Sequence, residues 1–189
     1  MTKIQNSGMV RSFIAIEIPE KIRTEIEIML NQFAKADFSV KWVKRDNLHI
    51  TLLFLGDASR EFIESGCQQL ESIIKTQKPF ELSLSDIGAF PNQQQPRIIW
   101  LGVEKGVDQI TELQAKIENG FTSIGFKPEA RKFHPHLTIG RVKFRFTNPK
   151  VFETTYQSED FLVKSVALFK STLYPSGPIY ERIKEFQFG

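Results

Sequence analysis

The sequence predicts an α+β fold: two mainly antiparallel sheets in a bilobal arrangement around a central cleft, with helices on the outer faces. Three observations carry this. A strand-helix-strand order occurs twice, beginning at Arg11 and again at Arg97. Each copy runs through a basic connector into a strand that carries a histidine, His49 or His136, lying 38 and 39 positions after that first arginine. No Gly-, Ser- or Pro-rich stretch separates halves of different composition, which predicts a single domain over 11–189 behind a short N-terminal extension, 1–10.

Arg11 to Ile18 is apolar and rich in isoleucine, as a buried strand requires, and Pro19 then opens a helix. In that helix Ile22, Ile26, Met29 and Phe33 recur at spacings of four, three and four, giving one apolar stripe. A basic connector, Lys41 to Asp46, leads to a strand over Leu48 to Leu55 that the turn pair Gly56-Asp57 closes. The second copy has a strand from Arg97 to Val103 and a helical stripe at Ile110, Leu113, Ile117, Phe121 and Ile124 that stops at Gly125. Its connector carries Lys127, Arg131 and Lys132, and its strand runs from His136 to Gly140. The rest reads as a helix over Ser59 to Lys75 and strands over Phe80 to Ile87, Phe161 to Leu173 and Ile179 to Phe188. Two units related by a pseudo-twofold would place their histidines facing one another.

Apolar residues make up 41% of the 189 and aromatic ones 12%, enough for a proper core. The longest apolar runs, such as Leu52 to Leu55, fall far short of the ~20 residues of a membrane span, so the expected protein is soluble and has no membrane partner. Met1 to Val10 holds one lysine and no apolar stretch of the secretory type, which predicts a cytoplasmic protein. The single cysteine, Cys67, sits at helical spacing among Ile63, Leu70 and Ile74 and is expected as a buried thiol. A net charge of +3 is compatible with a polyanionic ligand and selects none.

Chemistry enters with the His-x-Thr repeats. Side chains alternate faces along a strand, so His49 and Thr51 point one way and Leu48, Ile50 and Leu52 the other; His136 and Thr138 behave alike. Each strand thus offers an apolar face to a core and an imidazole beside a hydroxyl on its opposite face. Opening a cyclic phosphodiester with water requires one proton to be taken from the nucleophile and another given to the leaving ribose oxygen. Two imidazoles, titrating near neutrality, supply both without a metal or cofactor. Threonine hydroxyls can donate hydrogen bonds to the non-bridging oxygens, where negative charge must be held. The third histidine, His134, follows no such pattern and is expected either to support the reacting histidines from behind or to lie at the cleft rim; nothing near it supplies an HExxH or cysteine ligand set, so no metal is expected.

At these residues the chain resembles the two-histidine (2H) phosphoesterase superfamily, and most closely its RNA 2′,3′-cyclic phosphodiesterases, also called 2′-5′ RNA ligases. RSFIAIEIP at Arg11, WVKRDNLHITLLFLG at Trp42 and FHPHLTIGR at Phe133 carry the resemblance, which extends from Arg11 to about Tyr180. It implies a bilobal fold with the two motifs facing across a cleft, and opening of 2′,3′-cyclic RNA ends to a 2′-phosphomonoester. His49 is then the proton donor to O3′ and His136 the proton acceptor that activates water, with Thr51 and Thr138 binding the phosphate. The family's HxTxxR pattern adds Arg141, and Phe54 holds the equivalent place after His49. Its odd offset sends Arg141 to the opposite face of an ideal strand; a bulge at Gly140 would re-aim it into the cleft. Phe54 is either a stacking platform for a terminal base or a core residue.

The expected partner is RNA or an oligonucleotide ending in a 2′,3′-cyclic phosphate, handled by a monomer, and the basic residues Lys41, Lys44, Arg45, Lys127, Arg131 and Lys132 could guide its backbone. Two other functions stay open on the same residues: reversible 2′-5′ ligation of RNA halves, and a catalytically silent nucleotide- or RNA-binding module.

Overall fold

Apolar stripes and alternating runs set the elements, and their pairing decides where each histidine comes to lie. The computed structural model describes residues 8–36, 38–128, 130–175 and 177–189. The first copy of the repeat is β1 (Met9–Glu17), α1 (Glu20–Ala36), β2 (Val40–Trp42) and β3 (His49–Ser59). It is followed by α2 (Arg60–Ile74), β4 (Phe80–Leu82) and β5 (Leu84–Phe90). The second copy is β6 (Ile98–Val103), α3 (Val107–Ser123) and β7 (His136–Val142), and the chain finishes with β8 (Phe161–Val163), β9 (Ser165–Tyr174) and β10 (Gly177–Gln187).

Seven strands form one antiparallel path, β10-β9-β1-β3-β7-β6-β5, with β2 added against β7, while β4 and β8 make a separate two-stranded sheet. The two expected sheets are therefore two halves of one curled sheet, with β3 and β7 meeting in the middle. The halves preserve the repeat: β1 pairs β3 as β6 pairs β7. In α1 the buried stripe is Ile22, Ile26, Leu30 and Phe33; Leu30 takes the place expected of Met29, which only flanks the core. In α3 it is Ile110, Leu113, Ile117 and Phe121, as the periodicity predicts. One core unites these helix faces with Ile14, Ile16, Ile50 and Leu52 of the first half and Ile99, Leu101, Leu137 and Ile139 of the second. The helices thus cover one face of the sheet and leave the other for a cleft.

Other boundaries differ from expectation for identifiable reasons. The basic connector Lys41 to Asp46 contains part of β2, which pairs Val40 with Val142 and Trp42 with Gly140. β3 does not end at Gly56-Asp57, because β1 starts at Met9 and offers it a partner as far as Ser59. Gly56 takes a φ of +68° beside the unpaired Leu55, a local bulge that glycine tolerates. Of the expected extension 1–10, residues 1–7 lie outside the described residues, and Met9 and Val10 already belong to β1. The expected strands Phe80 to Ile87 and Phe161 to Leu173 each break, at Ser83 and Lys164, where the chain passes between the small sheet and the large one. Ser59 caps α2 by accepting a hydrogen bond from the Phe62 amide at 3.2 Å. Cys67 is only partly buried, at the side of the α2 face formed by Ile63, Gly66, Leu70 and Ile74. No described helix is long and apolar enough to cross a membrane.

The ring of Phe121 rests on the backbone of Gly66, so closely that a Cβ there would come within 2.7 Å of it, and α2 and α3 are locked at that contact. Phe121→Ala should lower stability by about 3–5 kcal/mol, the usual cost of emptying a buried phenylalanine site. Denaturant unfolding measures it, and an unchanged midpoint would show that the two helices are held elsewhere.

Candidate active site

β3 and β7 are paired antiparallel at Ile50 and Leu137, and both side chains are wholly buried. Their neighbours in each strand therefore face the cleft. One step along an antiparallel register brings Thr51 level with His136 and His49 level with Thr138. Each imidazole thus stands across the seam from the other strand's threonine. The two histidines are diagonal neighbours, whose backbone separation is about 7–8 Å, a span that accommodates a phosphoryl group between the rings.

The parity difficulty with Arg141 is resolved by a bulge, and a matching one bears on Phe54. On β7, Thr138 pairs Trp100 and Gly140 pairs Ile99, which leaves Ile139 as an extra residue. On β3, Thr51 pairs Ala15 and Leu53 pairs Ile14, which leaves Leu52 extra. Ile139 and Leu52 are the same position of the repeat, three after the histidine. Each bulge turns two consecutive residues into the core and returns the next to the cleft, so Arg141 and Phe54 are both exposed there. The bulge lies one residue before the expected Gly140. That glycine serves a different purpose: a Cβ on it would meet Val40 at 2.8 Å and Trp42 at 2.9 Å, so it lets β2 approach β7.

Both rings are held by the same local device. His49 Nδ1 lies 2.8 Å from the carbonyl oxygen of Asn47, and His136 Nδ1 lies 2.7 Å from that of His134. A carbonyl oxygen only accepts, so each Nδ1 carries a proton and each neutral ring leaves Nε2 free for a ligand. His49 stacks on Phe13 at 4.8 Å and meets Tyr180 edge-on at 5.2 Å. His136 is met edge-on by Phe90 at 5.1 Å and lies 6.2 Å from Trp100. Burial disfavours the charged ring, so His49 is pushed down to about 4; the Asn47 carbonyl opposes this, and the charges of Arg141 and His136 add to it. His136 is lowered too, first by burial and then, against the pull of the His134 carbonyl, by His134, Arg131 and Arg141. Without a ligand, both imidazoles are neutral at neutral pH.

Two cavities meet along Thr51 and Phe54, which line both. One, of about 190 Å³, contains His49, Thr138, Arg141, Lys41, Lys44 and Tyr180. The other, of about 230 Å³, contains His136 and His134 and is bordered by Arg131 and Lys132. Of the basic residues singled out in the sequence, Lys41, Lys44, Arg131 and Lys132 thus border the site. Arg45 instead turns to Glu20, Glu27 and Asp46, and Lys127 lines neither cavity. Sequence reasoning missed Tyr180 and Phe13. Tyr180 reaches His49 only because β10 pairs it with Ser171 of β9, two strands away, and nothing local in the sequence marks that. Among the described residues, no three His, Cys, Asp or Glu side chains converge as a metal site.

A curled antiparallel sheet with paired His-x-Thr strands at its seam is the architecture of a two-histidine phosphoesterase. The sequence profile of the 2′-5′ RNA ligase superfamily matches residues 18–174, and the chain belongs to that family. It is 38% identical over 182 residues to an RNA 2′,3′-cyclic phosphodiesterase of Methanocaldococcus jannaschii, covering 94% of this chain and all of the relative. A protein of the same name from Thermotoga maritima is 34% identical over 184 residues, covering 95% of this chain and 96% of the other. Among solved structures, E. coli LigT superposes with a TM-score of 0.77 at 26% identity, over 96% of this chain and 99% of LigT. LigT complexed with 3′-AMP superposes with the same TM-score and identity, over 95% and 98% of the two chains.

The depressed histidines make a signed prediction. As pH falls from about 6.5, the unfolded chain's ordinary value, to about 4, the unfolded state binds a proton that folded His49 refuses, so stability declines across that window. In His49→Gln, the slope of Tm against pH over this range should flatten; an unchanged slope would mean that His49 is not held neutral. Inorganic phosphate bound between the rings should raise both histidine values, read as NMR titration shifts with and without phosphate.

Proposed function

We propose that this chain hydrolyses 2′,3′-cyclic phosphodiester ends of RNA or nucleotides to 2′-phosphomonoesters, by acid-base catalysis from two histidines and without a metal or cofactor. The carrying observation is the seam register, Ile50 against Leu137, which sets each imidazole opposite the other strand's threonine. The names of the M. jannaschii and T. maritima relatives support the substrate class. His136 takes a proton from water as it attacks phosphorus, and His49 gives one to O3′ as the P–O3′ bond breaks. Thr51 and Thr138 donate hydrogen bonds to the non-bridging oxygens, and Arg141 balances the charge that gathers on them. Phe54, exposed beside both cavities, is the stacking surface for the terminal base.

His49 presents an electrostatic requirement, since a proton donor must be protonated and this ring is neutral in the free protein. The phosphodiester anion meets that requirement: a negative charge beside Nε2 favours the imidazolium, so the acid is made when the substrate arrives. The protein as proposed is a cytoplasmic monomer acting as one domain over 11–189.

His49→Ala and His136→Ala should each slow turnover of 2′,3′-cyclic AMP by about 10²–10⁴-fold, the usual worth of a general acid or base. Retained activity in either variant would remove that histidine from the mechanism. Arg141→Ala should cost about 10²-fold in kcat/KM, as loss of an oxyanion contact does. Dialysis against EDTA should leave the rate unchanged; a loss restored by added metal would overturn the metal-free scheme. Nucleotide binding with no turnover would instead identify a silent binding module.

A further inference from the structure

We infer that a cavity outside the cleft, at the end of β7, is a docking surface for single-stranded RNA and takes the nucleotides that lie 5′ of the cyclic end. The inference rests on the proposed reading of the cleft and names the substrate it prefers, the end of a strand rather than a free cyclic mononucleotide. This cavity, of about 670 Å³, is bordered by Arg97, Lys143, Phe144 and Arg145. It follows the His49 cavity along the chain, since Arg141 lines one and Val142 lines the other.

Positive charge continues from one cavity into the next. No aspartate or glutamate borders either of them, whereas Glu118 borders the cavity beside His136, and Glu64 and Glu71 border one against α2. Lys41 of β2 stands directly opposite Arg141 of β7, a pairing of like charges that destabilises the sheet unless an anion joins them. Lys105, Lys170, Arg182 and Lys184 each meet a carboxylate. Among the described residues, Lys41, Arg97, Arg141, Lys143 and Arg145 meet none.

The backbone fixes the path of these cations. Beyond β7 the Lys143 amide donates to the Ser39 carbonyl at 2.8 Å, and the Val142 amide donates to that of Arg97 at 3.0 Å. Lys143 thereby continues the line of Arg141, on the same face and about 6.6 Å further on. Phe144, between Lys143 and Arg145, is 65% exposed and meets no other aromatic ring among the described residues, while Phe146 turns against Phe152 at 5.6 Å. Cations beside an open aromatic ring bind unpaired nucleotides, through their phosphates and one stacked base. A duplex hides its base faces from such a ring, and an acidic peptide has no base to place on it. In the proposed reaction the ribose that loses O3′ sits on the His49 side, so the strand leading to its 5′-oxygen leaves past Lys41 and Arg141 towards Lys143. Arg145 lies four residues beyond Arg141, at most about 14 Å along the chain, which about four stacked nucleotides span at roughly 3.4 Å each.

The test compares kcat/KM for 2′,3′-cyclic AMP with that for oligoadenylates of increasing length that end in a 2′,3′-cyclic phosphate. The unaltered protein should gain about tenfold from mononucleotide to tetramer and level off beyond it. Phe144→Ala and the double variant Lys143→Ala/Arg145→Ala should each lose about fivefold or more on the tetramer, and leave 2′,3′-cyclic AMP within about twofold. The double variant should also flatten the slope of log kcat/KM against log salt by about 1.4, about 0.7 for each phosphate contact removed. No gain with length, equal losses on both substrates or losses on neither would overturn the inference. Equal turnover of the same end in a blunt duplex would overturn the single-strand assignment, and competition by poly-glutamate as strong as that by RNA would reassign the surface to an acidic protein. All three substituted residues are exposed, so the folded core is untouched. If the unaltered protein opens neither substrate, the proposed hydrolysis fails by itself. Fluorescence anisotropy of a labelled tetramer ending in a 2′-phosphate then decides the docking surface: weaker binding by the variants supports it and unchanged binding overturns it.

Discussion

The pairing of Ile50 with Leu137 is the constraint on which the site depends. It is a single register contact between two strands that otherwise belong to different halves of the sheet, and the apolar side chains anchor it in the common core. Because the period of a strand is two, burying Ile50 and Leu137 forces His49, Thr51, His136 and Thr138 onto the opposite face. A slip by one residue would send all four into the core and expose two large aliphatic side chains to water, so the core itself enforces the register. The position of these cleft-facing groups is thus secured by hydrophobic burial rather than by contacts among them.

Repetition extends from the strands to their irregularities. The bulges at Leu52 and Ile139 occupy one position of the repeat, and each delivers the residue five after the histidine to the cleft. The residues delivered differ, an aromatic ring in one half and a guanidinium in the other. The backbone is therefore close to twofold while the chemistry is directional. Arg141 lies in the His49 cavity with Thr138, and its charge acts on both imidazoles and on Tyr180. Burial keeps both rings neutral in the ligand-free protein, and in the proposed reaction an arriving anion favours the imidazolium.

Much of this was legible from the chain. The strand-helix-strand repeat, the stripe of α3 and the face shared by His49 and Thr51 follow from periods of 3.6 and 2, which are local properties. The failures share one cause. Residues 40–42 read as a connector because only pairing with β7 makes them a strand. β3 outruns its turn signal because β1 begins early enough to pair with it. The breaks at Ser83 and Lys164 exist because a second sheet is there to receive β4 and β8. Tyr180 carried no signal: it reaches the site through three strand pairings.

The sequence by itself determined the fold class, the doubled motif and the chemical kinds of group available, since backbone periodicity and side-chain chemistry are fixed residue by residue. Only the tertiary structure decided that the two halves share one sheet, that bulges aim Arg141 and Phe54 into the cleft, and that both imidazoles are neutral with Nε2 free. Those outcomes depend on register between strands distant in sequence and on how much water the packed neighbours exclude, and neither quantity exists until the chain has folded.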